Sequence, residues 1–269
     1  MKHIIRIAIL ILFTVPGGLY AFPPGEIQVR KWNVGTDQRE ALLYIPASAK
    51  QMLTPVVFVF HGHGGNMNEM YAEHRFDKLW PEAIIVFAQG LTTPGKLVDR
   101  RGLCSGWQQS PGNMDDRDIH FFDEMLLTLK DEYQVNSQQI YATGHSNGGG
   151  FTYLLWAMRG DVFAAVAPSA ATAAGYSDML KPKPVMHILG ENDPLVKPAW
   201  QQAQIILLKK LNSCDVVGRP YARFADIFNS ASDNPVIVYQ HPGKHVYPQY
   251  AEPVVVQFFK SISKGKTGL

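Results

Sequence analysis

The sequence predicts an α/β fold, a mostly parallel sheet with helices on both faces. Three observations carry that prediction. Short runs such as Val56-Val57-Phe58-Val59-Phe60 and Ile84-Ile85-Val86-Phe87 are continuously apolar, as strands buried on both faces require. These runs alternate along the chain with segments whose apolar residues recur at three- and four-residue spacing, the mark of amphipathic helices. The 269 residues are 46% apolar and 18% charged, which supports a sizeable core and excludes a disordered or collagen-like chain.

The elements follow in order. Glu26 to Val34 and Glu40 to Ile45 alternate as two hairpin strands. Pro55 to Phe60 and Ala83 to Ala88 are buried strands flanking a helix from Met67 to Leu79. Residues 89 to 117 lack periodicity and read as a long functional loop. Asp118 is expected to cap a helix bearing Ile119, Phe122, Leu126, Leu129 and Tyr133, and the Asp115-Asp116-Arg117-Asp118 run reads as its solvated start. Strands at Gln139 to Thr143, Val162 to Ala167, Pro184 to Leu189 and Pro235 to Gln240 alternate with helices at Asn147 to Met158, Trp200 to Leu211 and Pro253 to Ser261.

The N-terminus reads as an address. Lys2, His3 and Arg6 surround the start of an apolar run that ends at Val15, and Leu19-Tyr20-Ala21 follows Pro16-Gly17-Gly18. This is the pattern of a secretory signal peptide cut after Ala21. It predicts export to the periplasm or medium and leaves residues 22 to 269 as a single domain. The alternative is an uncleaved anchor, although the run is short for a bilayer. Beyond residue 21, 23 basic residues face 23 acidic ones. A neutral body excludes nucleic acid or anionic lipid as the main partner, and no stable membrane association is expected after cleavage. The chain has two cysteines, and in an oxidising compartment Cys104 and Cys214 are expected to pair. Two buried thiols are the alternative.

Chemistry-bearing residues cluster where strands end. Gly144-His145-Ser146-Asn147-Gly148 fits G-x-S-x-G between a strand and a helix, the tight turn that exposes a nucleophilic serine. His61-Gly62-His63-Gly64-Gly65 follows a buried strand and offers backbone N–H groups for an oxyanion. Candidate donors are the N–H of Asn147 and those of the His63-Gly64 region. His61 and His63 as metal ligands lack a completing set, so no metal and no organic cofactor is expected. Asp193, in Gly190-Glu191-Asn192-Asp193, follows a strand and can orient a histidine, with Glu191 as its rival. His245 sits beyond the Gly243 turn and is the expected general base, with His241 nearer the strand end as a structural residue. The order Ser146, Asp193, His245 is that of the α/β-hydrolase arrangement. Trp107, in the long loop, is either a wall of the substrate site or a core anchor.

On these motifs, together with Cys104-Ser105-Gly106-Trp107, Asp118-Ile119-His120-Phe121 and Gly243-Lys244-His245, the chain resembles the secreted α/β-hydrolases that include LpqC-like poly(3-hydroxybutyrate) depolymerases and the feruloyl and acetylxylan esterases. Tyr247 stands where that family often has Trp, and Lys244 where Gly is frequent. The resemblance implies a serine esterase without a large cap domain, acting on a small-molecule or oligomeric ester of hydroxyalkanoate, feruloyl or acetyl type. A serine peptidase or acyltransferase on the same fold, or a non-catalytic binding relative, are the other classes.

Overall fold

The computed structural model describes residues 25–173 and 175–268. The expected signal peptide lies outside the described residues. β1 (Glu26–Val34) and β2 (Asp37–Ile45) form an antiparallel hairpin. The sheet continues with β3 (Thr54–Phe60), β4 (Ile84–Ala88), β5 (Val135–His145), β6 (Ala165–Ser169) and β7 (Val185–Gly190). A second hairpin, β8 (Arg219–Ala222) and β9 (Ala225–Phe228), precedes β10 (Val236–His241). In space the order is β1-β2-β4-β3-β5-β6-β7-β10-β9-β8. The six strands from β4 to β10 are mutually parallel, and antiparallel pairs finish both edges.

The helices are α1 (Met67–Glu73), α2 (Phe76–Leu79), α3 (Arg117–Glu132), α4 (Asn147–Arg159), α5 (Pro198–Leu211) and α6 (Glu252–Ser261). The period-two alternation of strands divides the core between the two faces. Val56, Phe58 and Phe60 of β3 join a cluster with Phe122 and Phe151, whereas Val57 and Val59 join one with Tyr141, Phe258 and Phe259. All seven residues of β3 are buried, and each large apolar side chain so buried contributes roughly 1.5–3 kcal/mol.

The structure departs from the sequence expectations in specific places. The Met67 to Leu79 helix is broken at His74, whose extended backbone takes its ring to Glu252 of α6 at 2.9 Å. Asp118 does not cap α3. The capping position is Asp116, in a left-handed conformation without a side-chain cap. Asp118 is fully buried instead, 2.8 Å from the equally buried guanidinium of Arg39, and it accepts the N–H of Gln108 at 2.7 Å. The long loop contains a short ladder that pairs Leu91–Thr92 with Ser105–Gly106.

The expected Cys104–Cys214 disulfide is absent, and both thiols are free. Cys104 lies over Gly64, just beyond the C-terminal end of β3. Cys214 follows α5, which runs back from that edge, and it bridges to Ser230 ahead of β10. The two cysteines therefore sit at opposite edges of the parallel strands. A six-residue strand such as β10 spans roughly 20 Å at about 3.3 Å per residue, and a disulfide needs Cα atoms within about 7 Å.

Candidate active site

Ser146 stands between β5 and α4 with φ 55° and ψ −117°, a strained conformation for a residue with a side chain. Its neighbours must be small. A Cβ on Gly144 would lie 2.5 Å from the carbonyl of Gly148, and one on Gly148 would lie 2.3 Å from that of Phe60. The turn is held by Ser146 N–H donating to Ser169 O at 2.9 Å and Gly150 N–H donating to Ser146 O at 2.8 Å.

The Asp193 and His245 loops leave adjacent parallel strands, β7 and β10, and are joined by backbone bonds. Glu191 N–H donates to His241 O at 2.9 Å, and Asn192 N–H to Gly243 O at 3.1 Å. A Cβ on Gly190 would meet Lys244 O at 2.3 Å, so the histidine loop rests directly on the start of the acid loop. The structure brings Ser146, Asp193 and His245 into one hydrogen-bonded line. Ser146 Oγ is 2.7 Å from His245 Nε2, and His245 Nδ1 is 2.8 Å from Asp193 Oδ2. Asp193 Oδ1 accepts the N–H groups of Leu195 and Val196 at 2.8 and 3.0 Å, which leaves Oδ2 for the imidazole. With Nδ1–H donated to the carboxylate, Nε2 is the lone pair facing the serine.

The rival residues point elsewhere. Glu191 accepts from Gln240 at 3.1 Å. His241 is buried, accepts the N–H of Gly243 at 3.1 Å, and has its pKa lowered by burial. The His145 ring lies tilted against that of His245, with centroids 4.8 Å apart. Burial, then the neighbouring His245, pushes its pKa down to about 3, so it adds no charge beside the line. Both ring nitrogens of His61 are occupied, Nδ1 by Gly62 O at 2.7 Å and Nε2 by Gly90 N–H at 2.9 Å. His61 therefore clips the strand end and has no lone pair left for a metal.

Of the expected oxyanion donors, Gly64 is removed: its N–H donates to Ser105 O at 2.7 Å. The backbone N–H groups of His63 and Asn147 have no partner among the described residues. The Asn147 side chain clamps Trp107 from both sides, accepting its N–H at 2.6 Å and donating to its carbonyl at 3.0 Å. Trp107 is not a substrate wall. It is fully buried, stacks on Phe151 at 5.0 Å, and donates its indole N–H to His61 O at 2.9 Å.

A cleft of about 260 Å³ opens at Ser146, His63 and Asn147, and its apolar walls are Leu97, Val98, Tyr176, Leu195, Val196 and Trp200. Trp200 was legible only as a helix residue, because nothing in its spacing distinguishes a pocket wall from an exposed helix face. On the other side of the line, His245 borders a cavity of about 330 Å³ with Glu69, Glu73, His74 and Gln249. Tyr247, which departs from the resembled pattern, is buried against His74 and bonds Thr143 Oγ1 at 3.0 Å, away from the cleft.

Comparison with known proteins agrees with this topology. Solved structures superpose over nearly the whole chain. An acetyl xylan esterase from Aspergillus awamori has TM-score 0.64 and 12% identity over 87% of this chain and 99% of that one. A feruloyl esterase module from Clostridium thermocellum, complexed with sinapinate, has TM-score 0.61 and 15% identity over 88% of each. The chain has the α/β-hydrolase fold. Residues 107–184 also match the model of the prolyl oligopeptidase family, Peptidase_S9, less than a third of the chain. Feruloyl esterase C of Emericella nidulans is 31% identical over 143 residues, 52% of this chain and 49% of that protein. The bifunctional acetylxylan esterase/xylanase XynS20E of Neocallimastix patriciarum is 30% identical over 89 residues, 33% of this chain and 13% of that protein. The chain thus spans half or less of these curated relatives.

Proposed function

We propose that this α/β-hydrolase is an exported serine esterase, with Ser146 as nucleophile, His245 as general base and acid, and Asp193 as the residue that orients and stabilises the imidazole. The observation that carries the reading is the Ser146–His245–Asp193 line beside two unpartnered N–H groups. Ser146 Oγ adds to the ester carbonyl carbon as its proton passes to His245 Nε2. The oxyanion takes the N–H groups of His63 and Asn147. His245 then protonates the departing alcohol, leaving an acyl-enzyme, and water reverses the steps to release the acid. Residues 22 to 269 act as one catalytic unit in this reading.

The cleft's apolar walls suit the acyl group of the ester. The cavity beyond His245 offers the polar side chains of Glu69, Glu73 and Gln249, which suit the hydroxyls of an alcohol. Feruloyl and acetyl esters of sugars fit that division and agree with the esterase relatives. Hydroxyalkanoate oligomers are the remaining class. The partial prolyl oligopeptidase match favours a second reading, a serine peptidase using the same residues, and transfer of the acyl group to another alcohol would use them too.

Turnover of methyl ferulate, acetylated xylan, hydroxybutyrate oligomers and a prolyl peptide, with and without an added alcohol acceptor, separates these readings. Ser146→Ala and His245→Ala should each lower ester turnover by about 10⁴-fold or more, and Asp193→Asn somewhat less. A fluorophosphonate should label Ser146. Near-normal ester turnover by Ser146→Ala would overturn the mechanism.

A further inference from the structure

We propose that His63, Asp99 and Cys104 bind a thiophilic divalent transition-metal ion, zinc above all, at the edge of the Ser146 cleft. His63 lies on the loop after β3, and Asp99 and Cys104 lie on the long loop that covers it. One donor atom from each residue lies within 4.8 Å of the other two. His63 Nε2 and Asp99 Oδ2 are 3.1 Å apart, close to the roughly 3.3 Å between two ligands of a tetrahedral zinc with bonds of about 2.0 Å. A sulfur, a nitrogen and an oxygen together suit zinc or cobalt, whereas magnesium and calcium take oxygen alone.

Two of the three donors are already held in place. The His63 ring is packed between Gly95 and Gly106, where an added Cβ would stand 3.0 and 2.6 Å from ring atoms, and its side chain is 7% exposed. The Asp99 carboxylate accepts the N–H groups of Gly102, Leu103 and Cys104 at 3.1, 2.8 and 2.9 Å. Cys104 is exposed and free, so its sulfur can rotate toward the pair and a fourth, water position can stay open. A loop-capping role accounts for Asp99 alone and leaves the convergence of the other two unexplained.

Binding requires small proton changes. The Cys104 thiol proton leaves to solvent as the S–metal bond forms. The imidazole proton that Nε2 offers Asp99 shifts to Nδ1. That nitrogen is buried and has no hydrogen-bond partner, so the metal bonds must outweigh both the lost bond to Asp99 and an unsatisfied buried N–H, a cost of about 1–3 kcal/mol.

The test uses the full chain, cobalt and zinc ions, and thiol alkylation read by peptide mass spectrometry. Cobalt should produce a thiolate-to-metal absorption band that zinc abolishes. Zinc at about ten times its Kd should slow alkylation of Cys104 about tenfold and leave Cys214 unchanged. Cys104→Ser should remove the band, and Asp99→Asn or His63→Gln should weaken both signals. The proposal is overturned by equal alkylation of Cys104 with and without zinc, or by a cobalt band that persists in Cys104→Ser. Neither signal depends on turnover, so the result is separate from that of the esterase test.

Discussion

Ser146 occupies a backbone conformation that costs about 1–3 kcal/mol, and the packing of Gly144 and Gly148 against neighbouring carbonyls holds it there. Strain of this kind fixes where a serine oxygen points. The direction of its partner is fixed by a second, fully buried chain of polar groups. Tyr153 Oη lies 2.6 Å from His187 Nδ1, His187 Nε2 lies 3.3 Å from Gln201 Oε1, and Gln201 Nε2 donates to Asp193 Oδ2 at 3.3 Å and to Val196 O at 2.7 Å. On the proposed mechanism Gln201 would be a positioning residue, acting through Asp193. Gln201→Leu should lower kcat on the order of tenfold with little change in KM, since a hydrogen bond to a charged group is worth about 1.5–3 kcal/mol. Gln201→Glu, which keeps the length of the side chain but loses the amide donor, should show the same fall in kcat at nearly unchanged KM. A merely structural role would lower stability without that split, and a wild-type kcat in Gln201→Leu would refute the assignment.

At the scale of elements, the Arg39–Asp118 pair ties β2 to α3 and, through Gln108, to the loop that carries Trp107. Arg39 also lies over the Phe121 ring at 4.3 Å. Removing one partner leaves the other buried and unpaired, so Asp118→Ala should destabilise the fold by about 3–5 kcal/mol, measured by urea unfolding. Arg39→Met with Asp118→Leu should recover much of that loss, and a single variant of wild-type stability would show the pair to be idle. Asp118 also marks the limit of what the sequence conveys. Its charge and its place before an apolar stripe fit a cap, and only the crossing of β2 beneath it makes it a buried partner. The central strands were legible because burial on both faces requires unbroken apolar runs. The serine turn was legible because its glycines are forced by close approach. The β8–β9 hairpin was not legible: Phe224 takes its left-handed turn position at φ 68° where a glycine or asparagine would have signalled it. The cleft walls were likewise hidden, because Trp200 and Leu195 come from segments that only the folded sheet edge brings together, while Trp107, the more conspicuous tryptophan, packs inside.

For the whole molecule, the sheet confines two histidines in places where a proton is unwelcome. Burial lowers the pKa of His187 to about 4 and that of His145 to about 3, against about 6.5 in an unfolded chain. The unfolded state therefore takes up the proton first as the pH falls. The stability held by the neutral imidazoles is complete above about pH 6.5 and is lost progressively toward the folded pKa values. Between pH 7 and 5, His187 alone should account for about 2 kcal/mol of lost stability, the slope rising toward 1.36 kcal/mol per pH unit below pH 6.5. Acid should thus weaken the fold through both β5, which ends at His145 beside Ser146, and β7, which leads to Asp193. His187→Gln isolates the effect, because it removes the titrating group and keeps a polar side chain between Tyr153 and Gln201. The variant should be less stable than wild type at pH 7 through imperfect packing, but that deficit should shrink by about 2 kcal/mol at pH 5. Urea unfolding of both proteins at the two pH values measures it directly. A deficit of equal size at pH 7 and pH 5 would mean that His187 does not contribute to acid sensitivity.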